Sequence, residues 1–224
     1  MKRAGTLPSL GVMATKLTYV FDAYCGWCYG FGPVIRDFAT GNAGRVELEI
    51  VSGGLFTGSR VAPLGSMPYV AAANARIAEL TGAEFGPGYR ELIADGRFEM
   101  DSTAAATGFA ALRAAAPGRA LELAEAMQQS FYFDGLSLSE ASTYWRIAER
   151  QGLDADAVVT GFASADGRTA ATHDFARSAR LGVSSYPSLL LHTDAGVVRL
   201  GGPTSTAAQL TDAIDRHLAL TVSE

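Results

Sequence analysis

A chain of 224 residues, 48% hydrophobic and 18% charged, carries ample material for a core and is long enough for one large domain or a domain with an insertion. Its formal net charge of −5, with 16 arginines scattered among 18 cations and no basic run, gives no electrostatic footprint for nucleic acid or an anionic membrane. No stretch approaches about 18 uninterrupted apolar residues, so nothing reads as a membrane span.

The chain opens on Met1-Lys2-Arg3. Gly5, Pro8 and Gly11 then interrupt a mildly apolar run, which fits an extended or disordered segment over 1–15 better than an export signal. Met13 is an alternative start, and the expected compartment is cytoplasmic. Lys16 to Asp22 reads as a strand buried on both faces. Helix signals run from Trp27 to about Thr40, with Phe31, Val34, Ile35 and Phe38 at helical spacing. Pro33 falls inside and has to kink or divide that helix. Val46 to Val51 reads as a second strand. Strand, helix, strand favours a parallel pair with a right-handed crossover.

Gly53-Gly54 marks a turn. From Gly65 to Asp166 strand signals vanish and helix punctuation repeats. Met67–Leu80 ends at Gly82, and a short helix follows Pro87. Asp101-Ser102 caps a run that stops at Pro117-Gly118. Leu123, Met127 and Phe131 mark the next helix. Ser139 is expected to cap Glu140–Gln151, and Val158, Val159 and Phe162 mark the last. Thr169–Leu181 reads as a helix ending at Gly182. Two strands, 188–192 and 197–200, flank a hairpin turn at Asp194-Ala195-Gly196, and a closing helix carries Leu210, Ile214 and Leu218. The two ends of the chain must share one sheet, since two strands alone would not be stable.

The chain holds two cysteines, Cys25-Gly26-Trp27-Cys28, between the first strand and the first helix. A secreted protein stapled by disulfides would use more pairs at longer spacing. So short a loop constrains little of the unfolded chain, so the pair is not structural. A helix start offers unsatisfied N–H groups and a positive dipole end to a thiolate at Cys25. Cys28, one turn deeper, can resolve a mixed disulfide by intramolecular attack. This makes Cys25 the nucleophile and Cys28 the resolver. A structural zinc site calls for a full tetrahedral ligand set, and His173, His192 and His217 lie far apart in sequence, so no metal is expected. A pair of inert buried cysteines is the other bland reading. Ser184-Ser185-Tyr186-Pro187 directly precedes a strong apolar strand, where proline is tolerated as a strand entry.

The segment Phe21 to Phe31 (FDAYCGWCYGF), Pro33, the helical stretch after the second strand and Leu181–Pro187 together resemble the DsbA-like branch of the thioredoxin superfamily. More narrowly, they resemble bacterial protein-disulfide isomerases of the CGWC type. The resemblance implies an α/β thioredoxin-like fold over 16–64 and 167–224, with a helical insertion at 65–166. It implies that Pro187 is cis and faces the Cys25 sulfur. It further implies that the Tyr186 backbone pairs with an extended substrate, and that the helical block shapes a substrate groove. There is one departure: many thioredoxin-like proteins place a buried carboxylate six residues before the first cysteine, where this chain has Tyr19. The nearest acid is Asp22, which either assists proton transfer at Cys28 or faces solvent at the strand end. Trp27 either contributes an apolar substrate surface, with Tyr24, Tyr29 and Phe31 as further candidates, or is covered by the helical block. The Gly-Trp filler leaves the direction of electron flow open.

The expected activity is therefore a thiol–disulfide oxidoreductase without a bound cofactor. It would act on protein or peptide thiols and disulfides, with glutathione or the thioredoxin system as candidate electron donors. One alternative is a glutathione-linked isomerase or transferase of the 2-hydroxychromene-2-carboxylate isomerase type, against which the retained second cysteine argues. Another is a redox-sensing peptide-binding or holdase module using the Trp27 and Tyr186 surface.

Overall fold

The computed structural model describes residues 14–221, so most of the expected N-terminal segment lies outside the described residues, and Thr15 already opens the first strand. Strand β1 (Thr15–Phe21) leads into α1 (Gly26–Gly41), which returns to β2 (Val46–Ser52). A two-residue strand, β3 (Ala62–Pro63), precedes α2 (Tyr69–Thr81) and α3 (Pro87–Asp95), and pairs antiparallel with β4 (Glu99–Met100). Helices α4 (Ser102–Ala115), α5 (Ala120–Tyr132), α6 (Ala141–Arg150), α7 (Ala155–Ala163) and α8 (Ala165–Arg180) follow. The chain closes with β5 (Ser188–Thr193), β6 (Gly196–Gly201) and α9 (Ala207–Thr221).

The main sheet has the order β2-β1-β5-β6. Its central strand β1 runs parallel to β2, with Tyr19 opposite Ile50, and antiparallel to β5, with Tyr19 opposite Leu189. The unbroken apolar stretch of β1 follows from that position, since Leu17 and Tyr19 to Phe21 are all buried. Both chain ends thus contribute to one sheet. β6 is an edge strand and stays largely exposed.

Helix α1 runs undivided through Pro33, which is exposed. Glycines on α1 let α2 approach closely: a Cβ at Gly30 would stand 2.7 Å from Thr81 Oγ1 and 2.8 Å from Ile77 Cγ2. Phe109 of α4 meets Phe21 edge-on, with ring centroids 5.1 Å apart, and both rings are fully buried. Arg113 of α4 forks onto Asp174 of α8 with two 3.0 Å bonds and donates to Ile50 O at 2.8 Å. That cluster ties α4, α8 and β2 together.

Several local expectations need correction. The β3–β4 ribbon lies partly within a stretch that shows no strand signal, because two-residue strands are too short to carry a periodicity. Ser139 is not a cap: Glu140 takes the N-cap position of α6 without a side-chain bond, and Ser139 instead donates its amide to Ser137 Oγ. Asp101 does cap α4, accepting from Thr103 and Ala104 amides at 2.8 and 3.4 Å, an arrangement worth about 1 kcal/mol. Helix α8 begins at Ala165 rather than near Thr169, because Ser164 starts it. Ser164 is both the last cap of α7 and the first of α8. Its hydroxyl donates to Gly161 O at 2.7 Å and accepts from the Gly167 amide at 2.9 Å.

Candidate active site

Cys25 is the N-cap of α1, in extended conformation at φ −86°, ψ 107°. Its sulfur accepts the Cys28 amide at 3.4 Å, in the place where a capping oxygen would sit, and donates to Tyr186 O at 3.5 Å. The Tyr186–Pro187 peptide is cis, and through the Tyr186 carbonyl the loop before β5 faces the first cysteine. Both thiols are unbridged, Cys25 6% exposed and Cys28 0%. Burial first, then the Cys25 sulfur, pushes the Cys28 thiol well above the ordinary range, and the Asp22 amide partly offsets this.

Asp22 does not face solvent; it is completely buried at the end of β1. Its Oδ1 accepts from the Tyr24 amide at 3.0 Å and from Ser102 Oγ at 3.1 Å, and its Oδ2 accepts from the Leu55 amide at 2.8 Å. Gln128 Nε2 donates to its carbonyl at 3.3 Å. Burial outweighs these donors and pushes the carboxyl up to about 6. The residue therefore joins β1, the loop after β2, α4 and α5 behind the cysteines.

Tyr19 is also buried, and its phenol is raised well above the ordinary range by burial and then by the Cys28 and Cys25 sulfurs. Trp27 is half-buried: it packs on the core and also lines the groove beside Cys25. Tyr24 and Phe31 are buried in the core, Tyr24 at the wall of the groove beside Cys25. A groove of about 390 Å³ opens beside Cys25, lined by uncharged side chains that include Trp27, Phe56, Tyr69, Met100 and Tyr132. Tyr69 stands 62% exposed at its rim.

Gly53, read from sequence as a plain turn, packs under the Tyr186 ring: an added Cβ would overlap it. The Tyr186 hydroxyl in turn accepts the Gly54 amide at 3.2 Å. Sequence reasoning missed this packing, along with Ser102 and Gln128, because all three act across more than 45 residues of chain and leave no periodic trace. Among the described residues no group of histidine, cysteine and acids is arranged to hold a metal, and no helix is long and apolar enough to cross a membrane.

A dithiol at a helix start, opposed by a cis-proline loop on a mixed sheet and covered by a helical block, defines a thioredoxin-like protein with a helical insertion. The family model of the DSBA-like thioredoxin domain matches residues 16–203, and the chain belongs to that family. Solved structures agree on the fold. A candidate protein disulfide isomerase from Nitrosomonas europaea superposes with a TM-score of 0.79 at 20% identity, covering 92% of this chain and 98% of its own. The cytosolic disulfide reductase DsbM from Pseudomonas aeruginosa gives 0.76 at 24% identity, covering 92% and 99%, and has also been solved with glutathione. Reduced DsbA1 from Neisseria meningitidis gives 0.56 at 11% identity, covering 94% and 87%. No curated protein sequence matches this chain.

Proposed function

We propose that the protein reduces or isomerises protein and peptide disulfides in the cytoplasm through a mixed disulfide at Cys25. The observation that carries the reading is the placement of the Cys25 sulfur. It caps α1, lies 3.5 Å from the Tyr186 carbonyl and borders an uncharged groove. In the reductive direction Cys25 thiolate attacks a substrate disulfide, a Cys25–substrate S–S bond forms, and the first substrate sulfur leaves as thiolate. Cys28 then loses its proton and attacks the Cys25 sulfur. The Cys25–Cys28 bond forms, the second substrate thiolate departs, and the substrate has gained two electrons. An external thiol couple, glutathione or a thioredoxin-type dithiol, would return the enzyme to the dithiol. The glutathione complex of the DsbM relative supports the former donor.

Trp27, Tyr186 and Pro187 are the proposed substrate contacts, the Tyr186 backbone pairing with an extended peptide. Asp22 is the proposed proton partner of Cys28, because its charge acts on that thiol and its carboxyl titrates at about 6. The retained Cys28, buried behind Cys25, weighs against a glutathione transferase or isomerase, which needs no resolving thiol. Insulin reduction tests the reading. Cys25→Ser is expected to abolish turnover, and a Cys25→Ser protein with wild-type turnover would sink it.

A further inference from the structure

Helix α2 turns Val70, Ala73, Asn74 and Ile77 to the groove beside Cys25, a spacing that places all four on one helix face. Asn74 is the polar member of that apolar row and is 9% exposed. Its Nδ2 donates to the Tyr89 hydroxyl of α3 at 3.2 Å, which leaves Oδ1 without a donor. Tyr132, the last residue of α5, lines the same groove, is 1% exposed, and its hydroxyl has no hydrogen-bond partner in the protein. Among the described residues, the unpartnered polar atoms sealed from solvent belong to Tyr24, Glu125 and Ser178, so the Asn74 and Tyr132 oxygens keep access to the groove. Both oxygens stand against the first turn of α1. A Cβ at Gly26 would lie 3.4 Å from Asn74 Oδ1, 3.9 Å from the Tyr132 hydroxyl and 2.9 Å from Ile77 Cδ1. The glycine thus seats the residue next to Cys25 on the wall that carries them. Burial, then the neighbouring Tyr89, holds the Tyr132 phenol well above the ordinary range, so it keeps its proton and donates. Two buried polar atoms left unpaired work against the fold, and a ligand that pairs them recovers that loss.

We infer that Asn74 and Tyr132 bind the main chain of an extended substrate at a residue adjoining its reactive cysteine, Asn74 Oδ1 accepting that residue's N–H and the Tyr132 hydroxyl donating to its C=O. The inference rests on the dithiol reading above and deepens it. In an extended chain one residue presents its N–H and C=O to one edge, and the next residue presents them to the opposite edge. A substrate whose cysteine pairs with the Tyr186 backbone therefore turns the N–H and C=O of the adjoining residues the other way. Cys25 belongs to both surfaces: its sulfur is 3.5 Å from the Tyr186 carbonyl, and the residue lines the groove into which the two oxygens open. One acceptor and one donor side by side match the edge of a single extended residue. The groove lining carries no charge, so it selects no charged side chain. The substrate class is a disulfide in an extended peptide segment, read through its main chain and therefore tolerant of sequence.

The test uses a proline-free peptide whose single cysteine is joined by a disulfide to a chromogenic aromatic thiol. The aromatic thiolate is the better leaving group, so it is released as Cys25 attacks the peptide sulfur, and stopped-flow absorbance gives the second-order rate constant. Two further peptides carry an ester oxygen in place of the N–H of the residue before or after the cysteine. With reduced wild-type protein, one of the two ester peptides is expected to react about 10-fold more slowly than the parent, the scale of a buried acceptor left unpaired. Asn74→Leu should slow the parent peptide by a similar factor and abolish the difference between parent and ester. Tyr132→Phe removes only a hydroxyl that no protein group binds. It should also slow the parent about 10-fold, while the ester penalty, which belongs to Asn74, stays. Equal rates for all three peptides with the wild-type protein overturn the inference, as do an ester penalty that persists undiminished in Asn74→Leu and a Tyr132→Phe protein as fast as wild type on the parent peptide. A wild-type protein that releases no thiolate from the parent peptide overturns the dithiol reading instead.

Discussion

Replacing Asp22 by Asn tests the claim that a buried carboxylate works against the fold at neutral pH. The carboxyl titrates at 3.8 when unfolded and at about 6 when folded. Between those values the native state holds a proton that the unfolded state has lost, so stability falls as pH rises. The loss is absent below the unfolded value and complete above the folded one. At about 1.36 kcal/mol per pKa unit, the ionised group costs the native state about 3 kcal/mol at pH 8 and about 1 kcal/mol at pH 4.5. The Asp22→Asn change removes the titration. It also sets an amide NH₂ against one backbone donor, Leu55 or Tyr24, a pH-independent cost of about 1–3 kcal/mol. The variant is therefore expected to be equal to wild type or up to about 2 kcal/mol weaker at pH 4.5, and equal to it or up to about 2 kcal/mol stronger at pH 8. The difference between the two conditions should be about 2 kcal/mol in favour of the variant at high pH. Urea unfolding at both pH values measures this, with m-values confirming that the same transition is compared. A stability difference that is the same at pH 4.5 and pH 8, or that moves the other way, refutes the argument.

Cys28→Ser should stall the reaction after the first exchange and accumulate a Cys25–substrate adduct, visible as a mass shift that dithiothreitol reverses; free enzyme after substrate addition would contradict the resolver role. Gly53→Ala should drive the Tyr186 ring from its seat at a cost of about 1–3 kcal/mol, read by chemical denaturation, and an unchanged midpoint would mean that the loop relaxes freely. Asp174→Ala leaves Arg113 and the Ser52 amide without their shared acceptor and should cost about 3–5 kcal/mol; a loss under about 1 kcal/mol would show the pair to be solvated in practice.

What could be read from sequence was local. The Cys25–Cys28 pair, the strand before it, the helix after it and Pro187 ahead of β5 are contiguous signals whose chemistry depends on spacing. The mixed sheet followed from the need to pair two distant strand sets. What escaped depends on chain segments meeting in space. Asp22 looks like a strand-end acid until Ser102 and Leu55 close over it. Glu125 looks like an ordinary surface acid of an amphipathic helix until α1 covers one of its oxygens, which is buried without a hydrogen-bond partner. Tyr19 reads as a gap where many thioredoxin-like proteins place an acid, yet it is a fully packed phenol whose titration is raised by burial and by the two cysteine sulfurs. The start of α8 reads late in the sequence, at Thr169, because the single serine that ends α7 also starts α8.

That shared serine has a mechanical consequence. At Ala163-Ser164-Ala165 the helical block meets the helix that lies along β2 with no intervening linker, and a single hydroxyl holds both ends. The joint behaves as a weld rather than a hinge: a rotation of α7 must be transmitted to α8 and so to the sheet.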